Sequence, residues 1–236
     1  MKPSLFLTAE WRHLVFANYI VVPAVLNAFV PPGTELDFYS GKCFVSLVGF
    51  MFNRVRVKGL RIPMHTGFPE VNLRFYVRYS ENGQWHRGVV FIKEIVPKPL
   101  ISAVANIFFK EHYITLPVTH NRKQENGKQQ ATYSWGKEAE HAIEVIADEK
   151  GVELRENSEE EFITQHFRGY TFDKEKTSEY HVAHPAWNIC PVNSYNIRCA
   201  FEELYGKEFD FLSTKSCDSV FLADGSAVSV YTKRVI

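Results

Sequence analysis

The chain has 236 residues, 45% hydrophobic, 14% aromatic and 23% charged, a make-up that excludes disordered or collagen-like classes and can bury a sizeable core. Lys plus Arg and Asp plus Glu each number 27, so no net positive field draws nucleic acid or an anionic membrane, and neither is expected as a partner. The length suits one domain, expected over residues 1–236.

In chain order, MKPSLFLTAEWRH holds only a brief apolar patch, too short for a signal-peptide core, and no apolar run approaches the roughly 20 residues that span a bilayer. A cytoplasmic location is expected. Trp11 to Val22 is aromatic and β-branched and reads as a strand, and PAVLNAF, with Pro23 in its first turn, reads as a short helix stopped by VPPG. LDFYSGKCFVSLVGFMFNRVRV reads as a hairpin turning at Ser40-Gly41, and VNLRFYVRYSENGQWHRGVVFIKEIV as a second turning at Asn82-Gly83. LISAVANIFFKEHY places Leu100, Val104, Ile107 and Phe108 at helical spacing. A further exposed hairpin is expected at Asn126-Gly127, a capped helix from Ser158 with Glu161, a short helix in AFEELYG closed by Gly206, and a last hairpin about Asp224-Gly225. Strands outnumber helices, which predicts an α+β protein with a largely antiparallel sheet or barrel and a few peripheral helices.

The stretch EVNLRFYVR carries the chemistry. In a strand, Val71, Leu73, Phe75 and Val77 form one face and Glu70, Asn72, Arg74, Tyr76 and Arg78 the other. With Asn82 and Gly83 as the turn, Arg78 falls opposite Arg87, Tyr76 opposite Val89, Arg74 opposite Phe91 and Asn72 opposite Lys93. That mixed face is either the water-facing side of a sheet or the wall of a pocket. In a pocket, its cations need an anion or a carboxylate such as Glu70.

Other chemistry finds little support. Cys43, Cys190, Cys199 and Cys217 lack C-x-x-C spacing and read as packed, reduced thiols. His181 and His184 stand three apart, on opposite faces of an extended segment, so no metal site is expected. His13 can share a pocket with Arg12 only if the strand bulges there. No nucleophile elbow, phosphate loop or dinucleotide fingerprint occurs, and no cofactor is implied.

The ordered motifs EWRHL, VPPGTELD, VSLVGF, EVNLRFYVR, RGVVFIKEIVP and HPAW resemble the YqjF-like family of bacteria, which is in turn similar to acetoacetate decarboxylase. The resemblance implies a cone-shaped, largely antiparallel β-barrel with charged residues inside. It puts the family's N-terminal arginine on Arg12 and its carboxylate near Glu70 or Asn72. The family's lysine position falls on Tyr113, and a phenol cannot form a Schiff base. The reading is an enclosed polar pocket for a small carboxylate or keto acid, with Arg12, Asn72, Arg74, Tyr76 and Lys93 binding it and Glu70 and Tyr113 as catalytic candidates. The chemistry would be a lyase, isomerase or hydratase reaction without an imine; the alternative is a non-catalytic binding or sensing protein. A homo-oligomer is compatible with either.

Overall fold

A computed structural model describes residues 3–236. The strands of the first part are β1 (Leu5–Val21), β2 (Thr34–Leu36), β3 (Cys43–Val57), β4 (Phe68–Glu81) and β5 (Gln84–Val96), with a 3-10 turn at Pro23–Phe29 after β1. The middle holds α1 (Pro99–Phe108), β6 (Tyr113–Thr115), β7 (Val118–Glu125), β8 (Lys128–Trp135) and β9 (His141–Asp148). Then come α2 (Glu159–Thr164), β10 (Arg168–Asp173), β11 (Lys176–Ala183), β12 (Ile189–Arg198), α3 (Phe201–Tyr205), a 3-10 turn at Lys207–Ser213, β13 (Ser219–Tyr231) and β14 (Arg234–Val235).

The local chemistry explains most of these boundaries. Asn82 and Gly83 have φ of 52° and 78°, and Asn126 and Gly127 of 54° and 72°. Positive φ at both central residues gives the tight turn whose twist matches antiparallel strands. Pro99 sits in the first turn of α1, and the Ser158 hydroxyl caps α2 by accepting from the Glu161 amide at 3.1 Å. Gly206, at φ 114°, ends α3.

The strands pair in the order β14-β11-β10-β5-β4-β3-β1-β13-β12-β9-β8-β7, and a further pairing joins β11 to β13. The pairings from β11 through β10, β5, β4, β3, β1 and β13 therefore return to their start. All are antiparallel except β5 with β6 and the single residue pair of β5 with β10, Val89 with Gly169. Glycine is required there, because a Cβ on Gly169 would lie 2.1 Å from Tyr180 Cζ.

The central strands β1, β3 and β4 pack on both faces. One face sends Val15, Tyr19, Leu47, Leu73 and Phe75 against Tyr133, Ile143 and Val145 of the layer made by β7, β8, β9 and part of β12. The other sends Leu14, Phe16, Val48, Phe50 and Phe68 into a second cluster, which surrounds the candidate site.

Three expectations are corrected. The turn at Ser40-Gly41 forms, but only Tyr39 and Lys42 bridge across it, because β2 pairs with β4 instead of β3. No hairpin forms at Asp224-Gly225: β13 runs straight through, and Gly225 (φ 79°) serves a close approach, since a Cβ there would lie 2.0 Å from the Trp11 carbonyl oxygen. In α1 the expected stripe is mostly outward, with Leu100, Ile107 and Phe108 exposed, while Ile101, Val104 and Ala105 face the cavity. The helix covers a chamber that is only partly filled, so spacing alone did not fix which face is inward.

Candidate functional site

The polar face of β4 turns inward from Glu70 to Tyr76 and reaches solvent at Arg78, which pairs with Glu35. Glu70, Asn72 and Arg74 line a cavity of about 160 Å³, while Val71, Leu73, Phe75 and Val77 lie in the opposite core cluster. Much of the wall is aromatic, with Trp11, Phe50, Phe52, Phe91, Phe109 and Trp187 contributing. The remaining polar lining comes from Glu94 on β5, Glu111 and Tyr113 at the start of β6, Thr164, His166 and Arg168 around the start of β10, and Tyr180 and His184.

Arg74 is the cation of the cavity without a carboxylate partner in ion-pair contact among the described residues. Its guanidinium carbon lies 5.0 Å from the Phe16 ring centroid and 5.7 Å from that of Tyr76, one Nη donates to the Ile163 carbonyl at 3.2 Å, and Nε is buried without a partner. Aromatic faces and one carbonyl hold the group in place but leave its charge uncompensated. Arg168, by contrast, is committed to Glu179 at 3.1 Å. His166 is pushed down to about 4 by burial, so it is neutral beside Asp37.

Three carboxyl groups share the other end. Glu70, 2% exposed, accepts from Asn72 Nδ2 at 3.0 Å through Oε1 and from the Tyr113 hydroxyl at 3.0 Å through Oε2. Burial pushes its pKa up to about 7, even with Asn72, Tyr113 and Arg74 pulling it down. Glu94 and Glu111, 2% and 7% exposed, each bury one oxygen, Oε2 and Oε1 respectively, that has no partner. Desolvation first, then repulsion from Glu111 and Glu70, raises Glu94 well above the usual carboxylate range, and burial pushes Glu111 up to about 8. Tyr113 is kept neutral by burial and by these neighbouring carboxylates. At neutral pH the cavity thus combines one cation free of any carboxylate contact among the described residues with carboxyl groups that hold protons readily, the environment in which a side chain can take or give a proton.

Of the residues expected from sequence, the cavity brings together Glu70, Asn72, Arg74 and Tyr113, and three others lie elsewhere. Arg12 points away from the chamber, pairing with Glu10 at 3.2 Å and donating to the Gly225 carbonyl at 3.2 Å. The strand is irregular at this point, with His13 at φ 54°, and His13 lies on the opposite face of β1, stacked on His120 at 5.4 Å, instead of lining the chamber. Lys93 is on the wrong face: a bulge between Leu73 and Arg74 shifts the register so that Lys93 pairs with Leu73, and its ammonium donates to the Leu204 carbonyl. The expected pairs at Arg74, Tyr76 and Arg78 hold, and Asn72 faces Glu94 instead of Lys93. Tyr76 is buried beneath the cavity, its hydroxyl 2.7 Å from Ser46 Oγ and its ring supporting Arg74.

The bulge is why Glu94 was missed, for a uniform register puts it on the other face. Glu111 carried a readable signal, since in an extended segment it shares a face with Tyr113 two residues on. None of the described lining residues is a lysine. Lys110 instead pairs with Asp173 at 3.5 Å. Among the described residues, no cluster of His, Cys, Asp or Glu is arranged to hold a metal ion.

Comparison with solved structures places this arrangement in a known fold. The chain superposes with a TM-score of 0.64 on acetoacetate decarboxylase from Legionella pneumophila, at 12% identity over 100% of this chain and 89% of that one. It matches an acetoacetate decarboxylase-like enzyme from Sphingomonas wittichii RW1 with a TM-score of 0.65, at 11% identity over 98% and 94% of the two chains. The enduracididine biosynthesis enzyme MppR complexed with pyruvate gives 0.64, at 11% identity over 100% and 91%. At these identities the likeness establishes an acetoacetate decarboxylase-like fold and nothing about activity. Among curated proteins, uncharacterized protein YqjF of Bacillus subtilis is 41% identical over 71 residues, which is 30% of this chain and 29% of that protein's length. The sequence profile of the DUF2071 family, described as an uncharacterized conserved protein, matches residues 8–227, and the chain belongs to that family.

Proposed function

We propose that the cavity binds a small carboxylate or keto acid through the Arg74 guanidinium and that Glu70 and Tyr113 move a proton on it. The observation that carries this reading is the buried, unpartnered Nε of Arg74, a charge-assisted donor suited to a carboxylate oxygen. The closed circuit of pairings supports reading the chamber as the interior of a barrel or cone, and the whole chain as one unit. A volume of about 160 Å³ limits the guest to a few more than six non-hydrogen atoms, since a cavity of about 150 Å³ accommodates benzene. That a structural relative holds pyruvate is in keeping with this size.

The step is of the non-imine kind. Arg74 holds the carboxylate of a 2-keto acid, and Glu70, with a pKa near 7, takes the proton from the carbon beside the keto group. The C–H electron pair moves onto the carbonyl, and the enolate oxygen accepts a hydrogen bond from Tyr113, whose donor turns from the newly protonated Glu70. Return of that proton to the other face of the carbon would give isomerase chemistry, loss of a leaving group from the next carbon would give lyase chemistry and a carbon–carbon double bond, and addition of water across that double bond is the hydratase direction.

Deuterium uptake at C3 of 2-oxobutanoate, followed by proton NMR in D₂O, tests the step. The expected result is protein-dependent exchange that slows by about 10²-fold or more in Glu70→Gln and by at least about tenfold in Tyr113→Phe. Borohydride treatment with the same acid should leave the protein unmodified, and a lysine adduct would replace this mechanism with an imine. Saturable binding without exchange would favour the binding or sensing role.

A further inference from the structure

Two buried acids of the cavity, Glu94 and Glu111, have no part in the proton transfer assigned to Glu70 and Tyr113. They come from different elements, β5 and the segment entering β6; both line the same chamber, and each buries one side-chain oxygen without a partner. No described cation is in ion-pair contact with either of them. Lys233 is the one lysine whose charge acts on Glu111, and it does so at longer range.

Such a pair is costly to leave inside a protein, because a buried carboxyl oxygen without a donor loses its hydration and gains nothing in return. Aromatic rings surround the pair's end of the chamber, with Tyr113 paired to Glu94 across the strands, Tyr180 near enough to Glu111 to pull its pKa down, and Phe109 packed edge-on against Tyr180 at 5.2 Å. Carboxylates set among aromatic faces are the surroundings that favour an ammonium group over a neutral or anionic one. Arg74, at the other end, favours the opposite charge. Glu94 faces Asn72, two residues from Arg74 on β4, so the backbone offset between the two poles is about 7 Å along the strand and one strand spacing of about 5 Å across it.

We propose that the guest is dipolar, a short carboxylic acid bearing a primary amine at its far end, with the carboxylate on Arg74 and the ammonium between Glu94 and Glu111. This rests on the carboxylate reading of Arg74 and extends it to the other end of the same molecule. Binding is then linked to protons. The carboxyls are protonated when the chamber is empty, held so by desolvation and by Glu70, with Glu111 also acting on Glu94, against the opposing pull of the Tyr113 and Tyr180 hydroxyls and Lys233. An arriving ammonium keeps its own proton and favours ionised partners, so a carboxyl proton leaves to solvent.

Calorimetric titration of the full chain at pH 7.5 with 4-aminobutanoate, butanoate and 1-aminobutane, each in phosphate and in Tris, tests this. The expected result is that 4-aminobutanoate binds at least tenfold more tightly than butanoate, with a heat that differs between buffers by the release of about one proton. Glu94→Gln or Glu111→Gln, each checked for an unchanged cooperative melt, should erase most of that advantage and keep butanoate binding. Equal affinities for butanoate and 4-aminobutanoate, with no proton release, would overturn the dipolar guest and leave the carboxylate reading standing. Binding of 1-aminobutane with none of butanoate would remove the carboxylate reading and this inference with it.

Discussion

Arg74 and Tyr113 are the side chains on which the chemistry turns, and each can be altered with little change of bulk. Arg74→Met keeps a long apolar stem against Phe16 and removes the charge, so a small carboxylate should lose at least tenfold in affinity while the melting temperature stays the same or rises. Arg74→Lys should rescue little, because a point charge cannot reproduce the planar fork held by two rings and the Ile163 carbonyl. Tyr113→Phe removes the hydroxyl bound to Glu70 Oε2 and should lower turnover more than it weakens binding, as a split of kcat from KM. At this scale the sequence was informative where alternation held: Glu70, Asn72 and Arg74 were legible from period two alone. Arg12 was not, because packing decides which face of β1 turns inward: Trp11 lines the chamber, and its neighbour Arg12 turns to Glu10 and Gly225.

The hairpin of β4 and β5 carries the lesson of the elements. Its turn fixed the register correctly from Glu81 and Gln84 as far as Arg74 and Phe91, and one bulge then exchanged Lys93 for Glu94 in the chamber wall. Where the sequence reading puts the ammonium of Lys93, the chamber wall carries another acid. Closure of the strand circuit depends just as locally on Gly169, and here a prediction follows from space alone. Gly169→Ala should destabilise the fold by about 1–3 kcal/mol, the usual cost of overpacking, because the new methyl meets the Tyr180 ring. The same shift should disturb the Tyr180 contact with Glu111, so denaturant melts and carboxylate affinity should both weaken. The absence of a hairpin at Asp224-Gly225 has a similar origin: a turn-type dipeptide is used within a long strand to let two backbones approach.

For the whole molecule, burying three carboxyls and several histidines shapes the dependence of stability on pH. Glu70, Glu94 and Glu111 have pKa values raised above the ordinary 4.5, so between there and about pH 8 the folded chain holds more protons than the unfolded one and stability falls as pH rises. His13, His120 and His166 are lowered from 6.5 to about 4, so stability also falls as the solution is acidified through that interval. The two trends oppose each other below pH 6.5, and the alkaline loss should be clear above it. Glu111→Gln should flatten that loss, stabilising the protein by about 1–3 kcal/mol at pH 8.5 relative to pH 6.5, given about 1.4 kcal/mol per pKa unit. Chemical denaturation at the two pH values measures this; an unchanged slope would mean that Glu111 is not a proton-holding group of the folded state. The α+β class and most strands were readable from composition and turn signals, whereas the chamber was not, since it is assembled from β4, β5, β10, β11 and α1, far apart along the chain.

The central claim, an enclosed guanidinium that receives a small carboxylate, is tested most directly by calorimetric titration of 2-oxobutanoate into the native protein and into Arg74→Met at pH 6.5. Saturable one-to-one binding that weakens at least tenfold in the variant is the result expected here. Equal binding by both proteins, or none by the native one, would contradict it.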